Sequence, residues 1–268
     1  MNESQEFIKY LQSLNHKKVL LILTRVAILL VLVILWQVLA DVRIIDPFIT
    51  SSPKRVMDTL VSLYKSDSLF YNIFITVSET VIGFVMGTFA GTLVAMALWW
   101  TPTISKIIDP YLIILNALPK VAFGPLILVW AGIGVQSIII MTLAISLIST
   151  VISVYTGFIQ TDEEKLILVK AFGAKKSQLF RKVVLPSSYD SIVGSLKINI
   201  SLSWVGVIMG EFLVSKAGLG YLIMYGYQVF NLNLVMTGVL LVAISAALMY
   251  FGVSAIERHI GKKFNKEI

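Results

Sequence analysis

The stretch from Val19 to Ala40, VLLILTRVAILLVLVILWQVLA, is apolar apart from Thr24, Arg25 and Gln37. A helix rising about 1.5 Å per residue over such a run crosses a hydrocarbon core of roughly 30 Å, so the segment reads as a first transmembrane helix. Arg25 lies less than two turns past Lys18, close enough to the interface for its long side chain to reach water. A cleaved signal peptide is the competing reading, but the run is long for one and Val38-Leu39-Ala40 is a poor small-x-small cleavage site.

The same pattern recurs outward along the chain. Apolar runs predict helix 2 from Tyr71 to Trp99, helix 3 from Ile107 to Trp130, helix 4 from Gln136 to Phe158, helix 5 from Ser188 to Val214 and helix 6 from Leu232 to Ile256. Helix 3 is interrupted by Pro119-Lys120 and Gly124-Pro125. The expected fold is an all-α integral membrane protein of about six spans. Composition agrees: 57% of the 268 residues are hydrophobic and 14% charged, whereas a soluble domain carries about 25% charged residues. The chain divides into a polar tail (1–18), a transmembrane domain (19–256) holding a charged loop at 160–186, and a basic tail (257–268). A shorter helix from Pro53 to Tyr64 is expected in the polar segment between spans 1 and 2.

The absence of cysteine excludes disulfides, thiolate catalysis and Cys-ligated zinc. His16 and His259 lie in the polar tails and read as solvated, so no metal site is expected. The net charge of +7 has no aromatic-basic interleaving with it, and nucleic acid is not implied. It reports topology instead. With the N-terminus inside, fourteen Lys and Arg fall on inner segments and five (Arg43, Lys54, Arg55, Lys65, Lys216) on outer ones. Both termini and the 160–186 loop are therefore expected in the cytoplasm of a cell-membrane protein.

That loop is longer than most helix connections and has its own grammar. Thr161-Asp162 can cap a helix whose first turn holds Glu163 and Glu164. The helix continues through Lys170, Ala171 and Phe172 to Gly173, a natural stop. After Ala174 and Lys175, a second short helix from about Lys176 to Val184 is expected to end at Leu185-Pro186. Two short helices across a glycine, half apolar and half basic, form a knob that fits a partner's groove.

Gly173, nine intervening residues beginning with Ala174, then Val183-Val184-Leu185-Pro186 resembles the cytoplasmic E-A-A-x3-G-x9-I-x-L-P loop of ABC importer permeases. Further matches to the nitrate/sulfonate/taurine-type branch cover roughly residues 45–225: Thr76-Val-Ser-Glu-Thr-Val-Ile-Gly83-Phe84, Ile108-Asp109-Pro110, Leu118-Pro119, Gly124-Pro125-Leu126, Trp130-Ala-Gly-Ile-Gly134, and Trp204 with Glu211 and Gly218-Leu-Gly220. The chain departs from the motif at Ile167-Leu168-Val169, which stand where Glu-Ala-Ala would be, and at Glu79, where relatives often carry arginine. The resemblance implies a type I importer permease, not an enzyme. Its loop would couple to a cytoplasmic ATPase, a second permease copy or paralogue would complete the path, and an extracytoplasmic binding protein would deliver a small polar or anionic solute. ATP and Mg would be bound by the partner, and no G-x4-G-K-[ST] occurs in this chain.

Polar residues within the spans are costly and face protein or water. The cationic Lys120 and Lys197, with Asn116, Ser201, Trp204 and Glu211, are the expected path residues; Lys197, Ser201 and Trp204 share one helical stripe. The competing expectation is that each lysine pairs with a carboxylate. Gly83, Gly87 and Gly91 stack on one helix face and are expected to admit a neighbouring helix closely. The rival function is an ion-gradient-driven transporter or channel, although no clear internal repeat is visible.

Overall fold

A computed structural model describes the backbone of residues 2–264 and the side chains of residue 17 and of residues 19–258 except 256. The histidines and the lysines at 9, 18, 262, 263 and 266 lie outside the described side chains. The described residues form helices joined by short turns, without a strand. Among the described residues, five helices are long and apolar enough to cross a membrane: α1 (Asn2–Asp41), α4 (Ser68–Trp100), α7 (Val135–Ile159), α11 (Tyr189–Val214) and α13 (Leu232–Phe264). The end helices run on into both polar tails, since neither junction contains a helix breaker.

The sixth expected span is two helices, α5 (Pro102–Ala117) and α6 (Gly124–Ala131), bent by 85°. Pro119 removes a backbone donor and forces the preceding Leu118 to an extended ψ of 140°. A 3-10 turn at Lys120–Phe123 then leads into α6, with Pro125 at its start. What the sequence predicts as one interrupted span is therefore a sharp corner.

The centre of the fold is α7, and glycines let two neighbouring helices approach it closely. A Cβ on Gly83, Gly87 or Gly91 of α4 would come within 2.5–2.8 Å of Thr142, Ser146 or Thr150 respectively. On α11, a Cβ on Gly206 or Gly210 would come within 2.5 Å or 2.9 Å of the Cα of Thr142 or Ile138. Close backbone approach supplies van der Waals contact where lipid gives no hydrophobic drive. By contrast α1 buries none of its apolar window against the rest of the chain. It is held at its end by Gln37, whose side chain accepts from the Lys54 backbone N–H at 3.0 Å.

Two short helices, α2 (Pro47–Thr50) and α3 (Pro53–Lys65), precede α4. Ser52 caps α3 through its hydroxyl, and Leu60 and Leu63 pack on a cluster formed by Leu219, Leu222, Leu234 and Leu241. Part of that cluster belongs to α12 (Leu219–Gln228), a helix not expected from the sequence. It follows Gly218, whose φ of 109° turns the chain back from α11.

Candidate functional site

Residues 160–188 form a knob projecting from the ends of α4 and α7. Asp162 caps α8 (Glu163–Ala171) by accepting from the Glu164 N–H at 3.0 Å, and Glu163 and Glu164 occupy the first turn. At the other end Gly173, φ 79°, donates its N–H to the Lys170 carbonyl at 2.9 Å. This left-handed C-terminal position is one that side chains disfavour. After Ala174 and Lys175 comes α9 (Lys176–Leu179), and here the structure corrects the expected stop. Pro186 does not end the helix: a π turn at Phe180–Val184 leads into α10 (Leu185–Ser187) with Pro186 in its first turn. The wider turn lets the Leu185 N–H reach the Phe180 carbonyl just where proline supplies no donor.

The knob is anchored by Phe180, which the sequence reading did not single out. Its ring, buried with Ala95, Val154, Phe158 and Val184, lies 4.9 Å from Trp99, 5.6 Å from Trp100 and 5.3 Å from Phe158. Lys176 Nζ donates to the Trp100 carbonyl at 2.6 Å and stands 5.5 Å over the Trp99 ring. Ser188 closes the base by donating to the Gly157 carbonyl at 2.8 Å. Trp99 and Trp100 thus form the seat of the knob. Its outer surface stays apolar: Ile167, Leu168 and Phe172 are 61%, 58% and 83% exposed, flanked by Glu163, Glu164, Lys170 and Lys175.

The polar residues within the spans separate into three groups. Lys120 Nζ donates to the Asn116 carbonyl at 2.9 Å and to its Oδ1 at 3.2 Å, and Ser149 of α7 donates to the same Oδ1 at 3.1 Å. Lys197 pairs with Glu257 of α13 at 2.8 Å, in line with the competing expectation that the lysine meets a carboxylate. Its stripe-mates Ser201 and Trp204 line a cavity of about 330 Å³ against Tyr250 and Phe251 of α13. They are not brought together with Lys120. Glu211, near the C-terminal end of α11, is 1% exposed, accepts from Thr76 Oγ1 at 2.6 Å and from the Gly220 N–H at 2.5 Å, and lies against Glu79. Glu211 is thus the neighbour of Glu79 that spacing alone could not supply.

The family profile described as "binding-protein-dependent transport system inner membrane component" matches residues 83–266. The chain belongs to this family. It is 28% identical over 223 residues to a probable ABC transporter permease protein of Haemophilus influenzae, covering 83% of this chain and 90% of that one. It is 23% identical to the taurine transport system permease protein TauC of Escherichia coli, covering 87% and 86%. Among solved structures, the inward-facing MetNI methionine ABC transporter shares the fold, with a TM-score of 0.60 at 22% identity, over 70% of this chain and 94% of the matched chain. The family match begins at Gly83, so the glycine-packed core of α4, α7 and α11 and the knob belong to the family's region, while α1, α2 and α3 precede it.

Proposed function

We propose that this chain is the multi-pass permease subunit of an ATP-driven importer in the cell membrane, with both termini cytoplasmic. The observation that carries the reading is the knob: an exposed apolar tip on a base fixed by Phe180 transmits a push from a docked partner to α4, α7 and α11. Glu163, Glu164, Lys170, Ala171, Phe172, Gly173, Ala174 and Lys175 form the docking tip, with Leu185 and Pro186 at the hinge into α11. The partner is a cytoplasmic ATPase, which binds ATP and Mg; this chain contributes no chemistry of its own. A second copy or paralogue completes the path, and an extracytoplasmic protein delivers the solute. The rival, a gradient-driven transporter or channel, needs no such partner. Purification of the tagged permease from its native membrane should bring down an ATPase, and reconstituted uptake should require it. Uptake in liposomes containing the permease alone refutes the proposal.

For the path, the geometry favours Lys120 over Lys197. Lys120 is held by neutral oxygens only and keeps its charge for an anion, whereas the charge of Lys197 is spent on Glu257. A small anionic solute fits both this cation and the taurine-permease likeness. A hydrogen bond to a charged group contributes about 1.5–3 kcal/mol, so Lys120→Met is expected to weaken apparent substrate affinity by about ten- to a hundredfold. Uptake titrated with substrate in proteoliposomes checks this, and wild-type affinity in that variant removes Lys120 from the path.

A further inference from the structure

Among the described residues, Glu79 and Glu211 are the charged-type side chains buried within the spans, 5% and 1% exposed, and their carboxyl groups are in contact. Their surroundings differ. Glu211 receives the Thr76 hydroxyl and the Gly220 N–H, while Glu79 Oε2, fully enclosed, meets no donor. An ionised carboxylate only accepts hydrogen bonds, and two of them in contact away from water repel strongly. One proton between them satisfies both, and the supply of donors to Glu211 puts that proton on Glu79.

The pair forms the floor beneath the connection from α11 to α12. Thr76 Oγ1 donates to Glu211 and accepts the Leu219 N–H at 2.7 Å; Asn72 Oδ1 accepts the Gly218 N–H at 2.7 Å. A side chain on Gly218 would overlap the Glu211 carboxyl. The connection is flanked by two cavities, one of about 350 Å³ reaching Glu79 and one of about 370 Å³ reaching Glu211, with Ser215 and Lys216 on the wall of each.

We propose that Glu79 is a positioning residue: as a neutral acid it donates to Glu211, and the shared proton latches the α11–α12 connection, making this end of the molecule responsive to pH. Loss of the proton leaves two adjacent negative charges and frees the loop they hold. The groups facing the pair are few. Asn72 and Thr76 of α4 do not titrate, α7 presents Val135 and Ile138, the connection presents the exposed Lys216, and α12 presents Tyr221 and Tyr225.

Because the chain has no cysteine, one spin label at Ala217→Cys reports the loop alone. In permease purified into lipid nanodiscs, the label should be immobile at neutral pH and become mobile as the pH is raised. Glu79→Gln keeps a donor toward Glu211 but cannot titrate, and should hold the label immobile throughout. Infrared spectra supply the second reading. At neutral pH exposed carboxyls are ionised, so the wild type should still show the carbonyl stretch of a protonated acid, and Glu79→Gln should lose it. Absence of that band in the wild type overturns the proposal, as does a pH response of the label that persists in Glu79→Gln. If the variant fails to fold, the wild-type band and label must titrate together; divergence overturns it equally. Neither measurement uses transport, so the latch and the import function stand or fall separately.

Discussion

Gly173→Trp is expected to leave the protein in the membrane while ATP-driven uptake falls at least about tenfold, the loss that follows from about 1.4 kcal/mol of impaired coupling. Two features of the position set this expectation. Its φ of 79° lies where a side chain strains the backbone, at a cost of about 1–3 kcal/mol. A Cβ there meets nothing within 4 Å, so the permease core is not overpacked and the damage is confined to the shape of the tip and its contact with the ATPase. Gly173→Asn separates the two, since asparagine tolerates the left-handed conformation better than other side chains. It should retain more uptake than the smaller Gly173→Ala if backbone shape dominates, and no more than Gly173→Ala if bulk at the docking surface dominates. Membrane yield, co-purified ATPase and uptake in proteoliposomes are the measurements. Normal recruitment together with normal uptake in Gly173→Trp would remove the loop from the coupling path.

The parts of this structure legible in the sequence are those determined by neighbours along the chain. Asp162 caps α8, and Gly173 stops it, through hydrogen bonds spanning two or three residues, so spacing alone exposes them. The apolar runs reveal the long helices for the same reason. The corner at Leu118-Pro119 was visible as an interruption, but its 85° angle was not, because a missing donor says that a helix must break without saying where the chain goes next.

What was missed depends on contacts distant in sequence. Phe180 looks like any apolar residue of a short helix until Trp99, Trp100 and Phe158 converge on it. Glu79 gave no hint of its partner, since Glu211 lies on a helix that reaches it only across the packed core. The π turn before Pro186 is a local answer to a proline, but the same proline more often ends a helix, and that commoner outcome set the expectation. A signal was available for α12: Leu219, Leu222 and Ile223 recur at helical spacing directly after Gly218. Likewise the partner of the α4 glycines was readable in Thr142, Ser146 and Thr150, spaced by four on α7, and Gly206-xxx-Gly210 repeats the small-residue signature on α11.

Those glycines differ in what they touch, and this ranks their substitutions. Thr142 is met by both helices: the Gly83 site meets its Cγ2 at 2.5 Å, whereas the Gly206 site meets its Cα at 2.5 Å. A methyl on Gly83 therefore presses on a side chain, and a methyl on Gly206 on backbone that cannot rotate away. Overpacking costs about 1–3 kcal/mol, and Gly206→Ala should lie at the upper end of that range. Gly87→Ala should lie at the lower end, because it meets the Ser146 hydroxyl, a small group that can turn. The double variants sharpen the distinction. Thr142→Ala removes the atom that opposes Gly83→Ala and should restore most of its stability, but it leaves the Cα that opposes Gly206→Ala and should restore little. Thermal unfolding of the purified permease, measured for both pairs against the Thr142→Ala single variant, reads the coupling directly. Equal rescue of the two glycine variants would mean that α7 and α11 do not meet through their backbones, and the central packing of the fold would have to be redrawn.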